Sequence, residues 1–255
     1  MTHDDWWQTY FDERFSRIYR ARLPEAEARR EVGGMMELLG LPVGSRVLDL
    51  ACGWGRHAVP LAQAGYEVTG LDLSRHLLAE AQEYAGRAGV EVRWVRGDMR
   101  EIGWEGEFDA VLSLFSSLGY WLSDEEDLRV LRGARRALRP GGCILLETMH
   151  RDSLVRSFAP RDWWEDEEGA VVRVEREFDP VAGVSRELLR WEMGGSRGEK
   201  YHQLRVRSAT EWGRLLREGG FEPEEWYGGW RGRPFTPSSP RLLVRAGAAE
   251  EIAGG

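Results

Sequence analysis

Apolar side chains recur at three- and four-residue spacing through the first twenty residues. Trp6, Trp7, Tyr10, Phe11, Phe15, Ile18 and Tyr19 share one face of a helix over 4–20. A second helix is predicted over 25–39, entered after Pro24 and stopped at Gly40 with Pro42 beyond it. From Val47 the pattern changes to short apolar runs alternating with helical stretches. Strands are predicted from 47, over 66–72, over 90–96, from 108 and over 144–148, with helices over 56–64, 75–88 and 124–138 between them. That alternation predicts an α/β fold built on a parallel sheet. After residue 149 the pattern changes once more. Stretches 170–179, 184–193 and 201–207 alternate apolar and charged residues between Gly and Pro turns, which predicts an antiparallel sheet with one wet face, inserted after the fifth strand. A helix over 209–218, with Ser208 as N-cap and Gly219-Gly220 as its stop, precedes two last strands over 221–227 and 241–246.

Composition narrows the setting. The 255 residues are 42% hydrophobic and 31% charged, enough to bury a sizeable core. A net charge of −8 argues against a non-specific nucleic-acid binder, which carries a basic footprint, although Arg129 to Arg139 and Arg231 to Arg233 form local clusters. Two cysteines, Cys52 and Cys143, make no disulfide framework, and no stretch approaches 18 apolar residues. The N-terminus is unlike a signal peptide, so a cytoplasmic location is expected. Lys200 is the only lysine and Asn is absent, which removes lysine chemistry from most of the chain.

The candidate chemistry begins where the first strand ends, at Val47-Leu48-Asp49-Leu50-Ala51-Cys52-Gly53-Trp54-Gly55. A strand followed by a glycine turn and a helix lets backbone approach a ligand and aims helix N–H groups at it. Gly53-x-Gly55-x-x-Ala58, with Asp72 about 20 residues on, also satisfies the nicotinamide-dinucleotide fingerprint. Asp49 separates the alternatives. A carboxylate inside the strand end would face a pyrophosphate in a dinucleotide enzyme, whereas it suits a cationic ligand.

The same stretch resembles motif I of the class I S-adenosylmethionine-dependent methyltransferases, with Ala51 where a first glycine is common. Asp72-Leu73 resembles motif II, whose acid takes the ribose hydroxyls, and Gly97-Asp98-Met99 resembles motif III at the adenine. The run from Phe108 to Tyr120 looks like motif IV, and its loop Phe115-Ser116-Ser117-Leu118-Gly119-Tyr120 is similar to small-molecule N-methyltransferases, including those acting on amino sugars. Leu138-Arg139-Pro140-Gly141-Gly142 resembles motif V. The resemblance implies a Rossmann-like, doubly wound seven-stranded sheet whose last strand runs antiparallel between strands five and six. It implies S-adenosylmethionine as cofactor, held by Asp49, Ala51, Gly53, Gly55, Asp72, Leu73, Asp98, Met99 and Phe115. It also implies a helical lid, making Tyr10, Phe11 and Tyr19, with Ser116 and Ser117, candidate walls of the acceptor pocket. The division is then a lid over 1–42, a core over 43–149 and 208–247, an inserted β subdomain over 150–207, and a tail over 248–255.

Methyl transfer from a sulfonium is an in-line displacement, so orientation and exclusion of water are the protein's main tasks. Candidate catalytic groups are His150, after the fifth strand, and Tyr120. His57 is expected to pack near the cofactor and His202 lies on an inserted strand. No pair of Cys or His has metal-ligand spacing, so no metal site is expected. The expected reaction is methylation of a small-molecule amine or hydroxyl. An RNA or protein methyltransferase on the same fold, a nicotinamide-dependent oxidoreductase and a non-catalytic cofactor-binding module are the alternatives. The chain is expected to stay off membranes, to act as a monomer or homodimer, and to leave the acceptor to the lid and the insertion.

Overall fold

In a computed structural model the described residues are 5–20, 22–165, 169–193 and 195–249. Five parallel strands, β1 (Arg46–Leu50), β2 (Glu67–Asp72), β3 (Arg93–Arg96), β4 (Phe108–Ser113) and β5 (Leu138–Thr148), form the body of the main sheet. β12 (Leu242–Ala248) pairs antiparallel with β5 on one side and with β10 (Phe221–Gly229) on the other. A two-residue β11 (Arg233–Pro234) closes that edge, so the order is β11-β10-β12-β5-β4-β1-β2-β3. The antiparallel strand between the fifth and sixth lies where the methyltransferase resemblance places it.

Residue alternation puts the core on both faces of this sheet. Leu48, Leu50, Val111, Ile144 and Leu146 face one way, against α6 (Asp124–Ala137) and α8 (Ala209–Glu218) through Leu128, Leu131, Trp212 and Leu215. Val47, Ala110, Leu112, Cys143 and Leu145 face the other way, against α3 (Glu25–Leu39) and α4 (Ala58–Gln63) through Val32, Met35, Ala58 and Leu61. Local signals set the helix limits. Ser74 accepts from the N–H of Leu77 at the start of α5 (Arg75–Ala88), and Ser208 and Glu211 form a reciprocal capping box on α8. Pro60 is harmless at the third position of α4, where its missing N–H has no intrahelical partner to lose.

Several expectations are corrected. The predicted helix over 4–20 is two helices, α1 (Trp7–Tyr10) and α2 (Glu13–Arg20), because the Asp12 carboxylate accepts from the N–H of Phe15 and starts a new helix; residue 4 lies outside the described residues. The second sheet has four strands rather than three, in the order β6 (Arg161–Glu165), β7 (Val171–Asp179), β8 (Val184–Met193) and β9 (Ser196–Arg205). A short α7 (Arg151–Arg156) precedes it. Of the 248–255 tail, Ala248 ends β12 and residues 250–255 lie outside the described residues.

The two N-terminal helices lie between the main body and the second sheet. Trp6, Tyr10 and Phe15 pack with Leu77, Trp54 and Tyr120 of the body, while Ile18 packs with Val172, Val174 and Leu189 of the sheet. Trp164 belongs to this second cluster, with the Arg22 guanidinium 4.2 Å from its ring, whereas Trp163 is 70% exposed. Lys200 fastens the arrangement. Its ammonium donates to the Tyr10 carbonyl at 2.8 Å and pairs with Asp12 at 2.8 Å, so β9 grips the end of α1.

The acidic start of α6 has a tertiary partner beyond the helix dipole. Asp127 and Arg207 are both enclosed and pair at 2.7 Å, Asp124 pairs with the same guanidinium at 2.7 Å, and Asp127 also accepts from the N–H of Gly119. Asp127→Ala leaves the buried Arg207 guanidinium with the partly exposed Asp124 alone and the Gly119 N–H without an acceptor. The expected loss is about 2–3 kcal/mol of unfolding free energy by denaturant titration, because Asp124 still compensates the guanidinium; a loss below about 1 kcal/mol would mean that the pair behaves as an exposed one.

Candidate functional site

The turn after β1 is built from three left-handed residues, Ala51 (φ 55°), Gly53 (φ 56°) and Gly55 (φ 76°). Ala51 carries a Cβ in a conformation that favours glycine, a local strain that a well-determined turn tolerates. The two glycines serve different ends. A Cβ on Gly53 would meet only Leu77, at 4.0 Å, so this face of the turn is open to a ligand. A Cβ on Gly55 would lie 2.9 Å from Trp94 and 3.2 Å from Ala81, so Gly55 admits close packing of the turn on β3 and α5. Gly55 therefore has a packing duty in the turn.

The three candidate acids are likewise unequal. Asp49 is buried, its Oδ2 has no hydrogen-bond partner among the described residues, and it lines a narrow compartment with Ala51, Gly53, Trp54, Phe115, Ser117 and Tyr120. Burial, reinforced by the charge of Asp72, pushes its pKa up to about 8. Asp72 sits behind the turn and ties it down, one oxygen accepting from the N–H of Gly53 and the other from that of Ser74, each at 2.8 Å. Burial raises its pKa against those two bonds. Asp98 is turned to Arg100, which contacts both its oxygens and stacks 4.9 Å from the rings of Trp7 and Trp121. The Leu73 carbonyl accepts from Arg96, and Met99 is buried in the core.

The loop after β4 separates this compartment from a second. Phe115 (φ 56°) and Ser116 (φ 59°) are both left-handed, and the Phe115 ring is half exposed toward both compartments. A ring of charged side chains holds the loop. Glu147 of β5 accepts from the N–H of Phe115 and faces Arg241 at 3.5 Å. Arg241 pairs with Glu31 of α3 at 3.0 Å, and Glu31 pairs with Arg56 at 2.8 Å. Arg56 then lies 6.0 Å from the Phe115 ring, closing the circuit. Burial alone would raise the pKa of Glu31, but His57, Arg56 and Arg241 lower it to about 2. Glu147 goes the other way, raised by burial more than Arg241 lowers it.

The second compartment, about 300 Å³, is walled by Trp6, Tyr10, Phe11, Phe15, Tyr19, Phe115 and Tyr120, with Ser116, Glu147 and His202 as polar groups. Phe11, Phe15, Phe115 and Tyr120 are shared with the narrow compartment, so the two adjoin. All five predicted wall residues thus come to this cleft, Tyr10, Phe11, Tyr19 and Ser116 in the outer part and Ser117 in the inner. The Ser hydroxyls serve the loop, Ser117 donating to the Leu114 carbonyl and Ser116 accepting from the N–H of Met149. Tyr120 lies between the compartments, and burial raises its pKa. A larger depression of about 980 Å³ lies between α1 and the second sheet and is lined largely by paired charges such as Arg176, Glu187, Arg190 and Glu199.

His150 does not reach the cleft. It is fully buried beside Phe235, its Nε2 donates to the Ser239 carbonyl at 2.7 Å, and its Nδ1 accepts from the N–H of Ser153, which makes it the N-cap of α7. With both nitrogens occupied it cannot act as a base, and the candidate role is corrected to capping. His57 behaves as expected for a packing residue, 2.9 Å from Glu31. His57 lines the narrow compartment and His202 the outer one. Glu147, Arg241 and Glu31 carried no motif signal, because their roles arise only through partners far away in sequence.

Comparison with known proteins agrees with this architecture. Residues 47–142 match the family model described as a methyltransferase domain. YqeM, a protein of Bacillus subtilis (strain 168) named as a methyltransferase, is 28% identical over 218 residues, spanning 83% of this chain and 87% of its own. The glycine/sarcosine N-methyltransferase of Halorhodospira halochloris is 26% identical over 230 residues, 89% of this chain and 83% of that one. Among solved structures, the CcbJ methyltransferase from Streptomyces caelestis superposes with a TM-score of 0.81 at 25% identity, covering 95% of this chain and 98% of that one.

Asp49 makes a testable statement about the ligand-free chain. Its folded pKa near 8 lies above its unfolded value near 3.8, so the fold holds a proton that the unfolded chain gives up. Stability from this group therefore falls as pH rises through that window and is level above it. Asp49→Asn, which stays neutral, is expected to match the parent near pH 4 and to exceed its thermal midpoint increasingly up to about pH 8. Equal midpoints across the range would show that the carboxylate is solvated.

Proposed function

We propose that this chain, an S-adenosylmethionine-dependent methyltransferase of the class I fold, transfers its methyl group to the amino nitrogen of a small molecule. The observation that carries the proposal is the adjoining of the two compartments: a buried, unpartnered carboxylate in one, and aromatic walls with a neutral imidazole in the other, across the Phe115 ring. When bound, the sulfonium cofactor supplies an activated methyl group, so the chain's own residues need to bind, align and dry the reactants.

The unsatisfied Asp49 oxygen suits the cationic amino-acid end of the cofactor, and the open side of Gly53 suits close approach of the same end. Asp72, at the end of β2, is the group for the ribose hydroxyls; its two oxygens each accept one backbone N–H and keep further lone pairs. Asp98, held by Arg100 at the end of β3, is the group for the adenine amino nitrogen. Gly53, Ala51 and Phe115 line the path between the carboxylate and the acceptor compartment. Aromatic faces stabilise a passing cation and exclude water from the reacting centre.

The amine class is supported by these walls and by the named activity of the Halorhodospira relative. The Arg129 to Arg139 cluster does not favour a macromolecular acceptor. Arg129, Arg132 and Arg139 pair with Glu101, Glu125 and Asp109, which offsets their charge locally, and Arg135 donates to the Ala249 carbonyl.

Two measurements test the reading. Asp72→Ala is expected to weaken S-adenosylmethionine binding by calorimetry about a hundredfold, as two charge-assisted hydrogen bonds are worth, and unchanged affinity would remove the ribose assignment. Methyl-labelled cofactor offered with glycine, sarcosine, ethanolamine and glucosamine should place label on amino nitrogen; label confined to hydroxyl oxygen, or found only on added RNA, would contradict the amine reading.

A further inference from the structure

One titratable group of the acceptor compartment has no structural duty. His202 on β9 lies against Trp6 and Tyr10, with ring centroids 5.6 and 5.1 Å apart. Among the described residues neither ring nitrogen has a hydrogen bond, and Nδ1 is enclosed without one. An imidazole nitrogen left unpaired among aromatic rings is costly; with Nδ1 on the Glu187 side, Nε2 is the nitrogen left for a partner that arrives with the acceptor. The other acidic group of the compartment, Glu147, is already engaged by the Phe115 N–H and Arg241.

His202 has a neighbour suited to orient it. Glu187 stands directly opposite on β8, in register with His202, and its Oε1 lies 3.8 Å from Nδ1. Glu187 is itself fixed from two sides, by Arg176 of β7 at 2.7 Å and by the Tyr19 hydroxyl of α2, which donates at 3.4 Å. These are the charged and titratable groups facing the ring, together with Tyr10 of α1. Burial holds the imidazole pKa below its ordinary value; Glu187, the next influence, favours the charged form, and Arg176, the smallest, opposes it.

We propose that His202 is the proton acceptor for the incoming amine, with Glu187 as the residue that positions its ring. The inference rests on the amine reading above. A small amine arrives as an ammonium ion, whose nitrogen has no free electron pair. One N–H proton passes to Nε2 of neutral His202, and the imidazolium so formed shares its Nδ1–H with Glu187. The freed pair on nitrogen forms the new N–C bond to the methyl carbon as the C–S bond breaks and its electron pair stays on sulfur. The imidazolium then releases its proton to solvent. Desolvation between the aromatic walls lowers the proton affinity of the amine and so narrows the gap to the imidazole.

The test uses the full chain with methyl-labelled S-adenosylmethionine and the four amines already named. His202→Gln is expected to keep cofactor affinity within about twofold and to lose turnover by roughly 10²–10⁴-fold. The acid limb of the parent's kcat/KM against pH should lie below the ordinary histidine value, and in the variant it should move up toward that of the free amine. Glu187→Gln, which retains the base, should keep the limb but move it lower and reduce kcat with little change in KM; it also serves if His202→Gln does not fold. A variant with parental turnover and an unmoved limb would overturn the assignment while leaving the amine reading intact. Parent chain that labels none of the amines would overturn both.

Discussion

The arrangement depends on one desolvated carboxylate. Asp49 is carried by the middle one of the five parallel strands, flanked by β2 and β4, and one of its oxygens has no partner among the described residues. A fold that only needed stability would put an apolar residue there, since an uncompensated buried acid costs several kcal/mol in a dry interior. The neighbouring features make sense as accommodations to that choice. Ala51, Gly53 and Gly55 turn the backbone around the carboxylate, Asp72 holds the turn through the Gly53 N–H, and Gly55 lets Trp94 lock it from behind. Those contacts leave the Asp49 oxygen facing a space that a cation can enter.

A second constraint connects that space to the acceptor side. The circuit from Glu147 through Arg241, Glu31 and Arg56 to the Phe115 ring joins β5, β12, α3 and the start of α4 around one strained loop. Phe115 and Ser116 hold left-handed backbone at a site where both compartments meet, which is the kind of strain a functional loop sustains when its surroundings over-determine it. On the far side, α1 and α2 supply aromatic walls and are gripped by the second sheet through Lys200 and the Ile18 cluster. The only lysine in the chain is thereby given to architecture.

Much of this was legible from residues alone, and the limits have physical causes. The Ser74 and Ser208 caps and the Gly40 and Gly89 stops are local signals, and α3, α5 and α8 begin and end where those signals lie. The acid after Val47-Leu48 and the two later acids were found by motif, yet their inequality depends on which backbone N–H or guanidinium each meets in three dimensions. The break between α1 and α2 was hidden because an aromatic stripe keeps the same spacing across it. The polar stretch Ser196 to Lys200 carried no apolar alternation and so gave no sign of the start of β9, whose pairing with β8 forms it. The surroundings of His150 and His202 were hidden for the same reason. Alternation put each at the end of or within a strand, but only tertiary packing decides that one caps a helix and the other lines a cavity.

The account turns on Asp49 being protonated without ligand and ionised beside one. Calorimetric titration of the chain with S-adenosylmethionine at pH 6, repeated in buffers of differing ionisation enthalpy, measures that exchange directly. The predicted result is release of about one proton per cofactor bound, absent in Asp49→Asn. Binding with no proton release in the parent chain would contradict the account, because the carboxylate would then be ionised and solvated before any cation arrived.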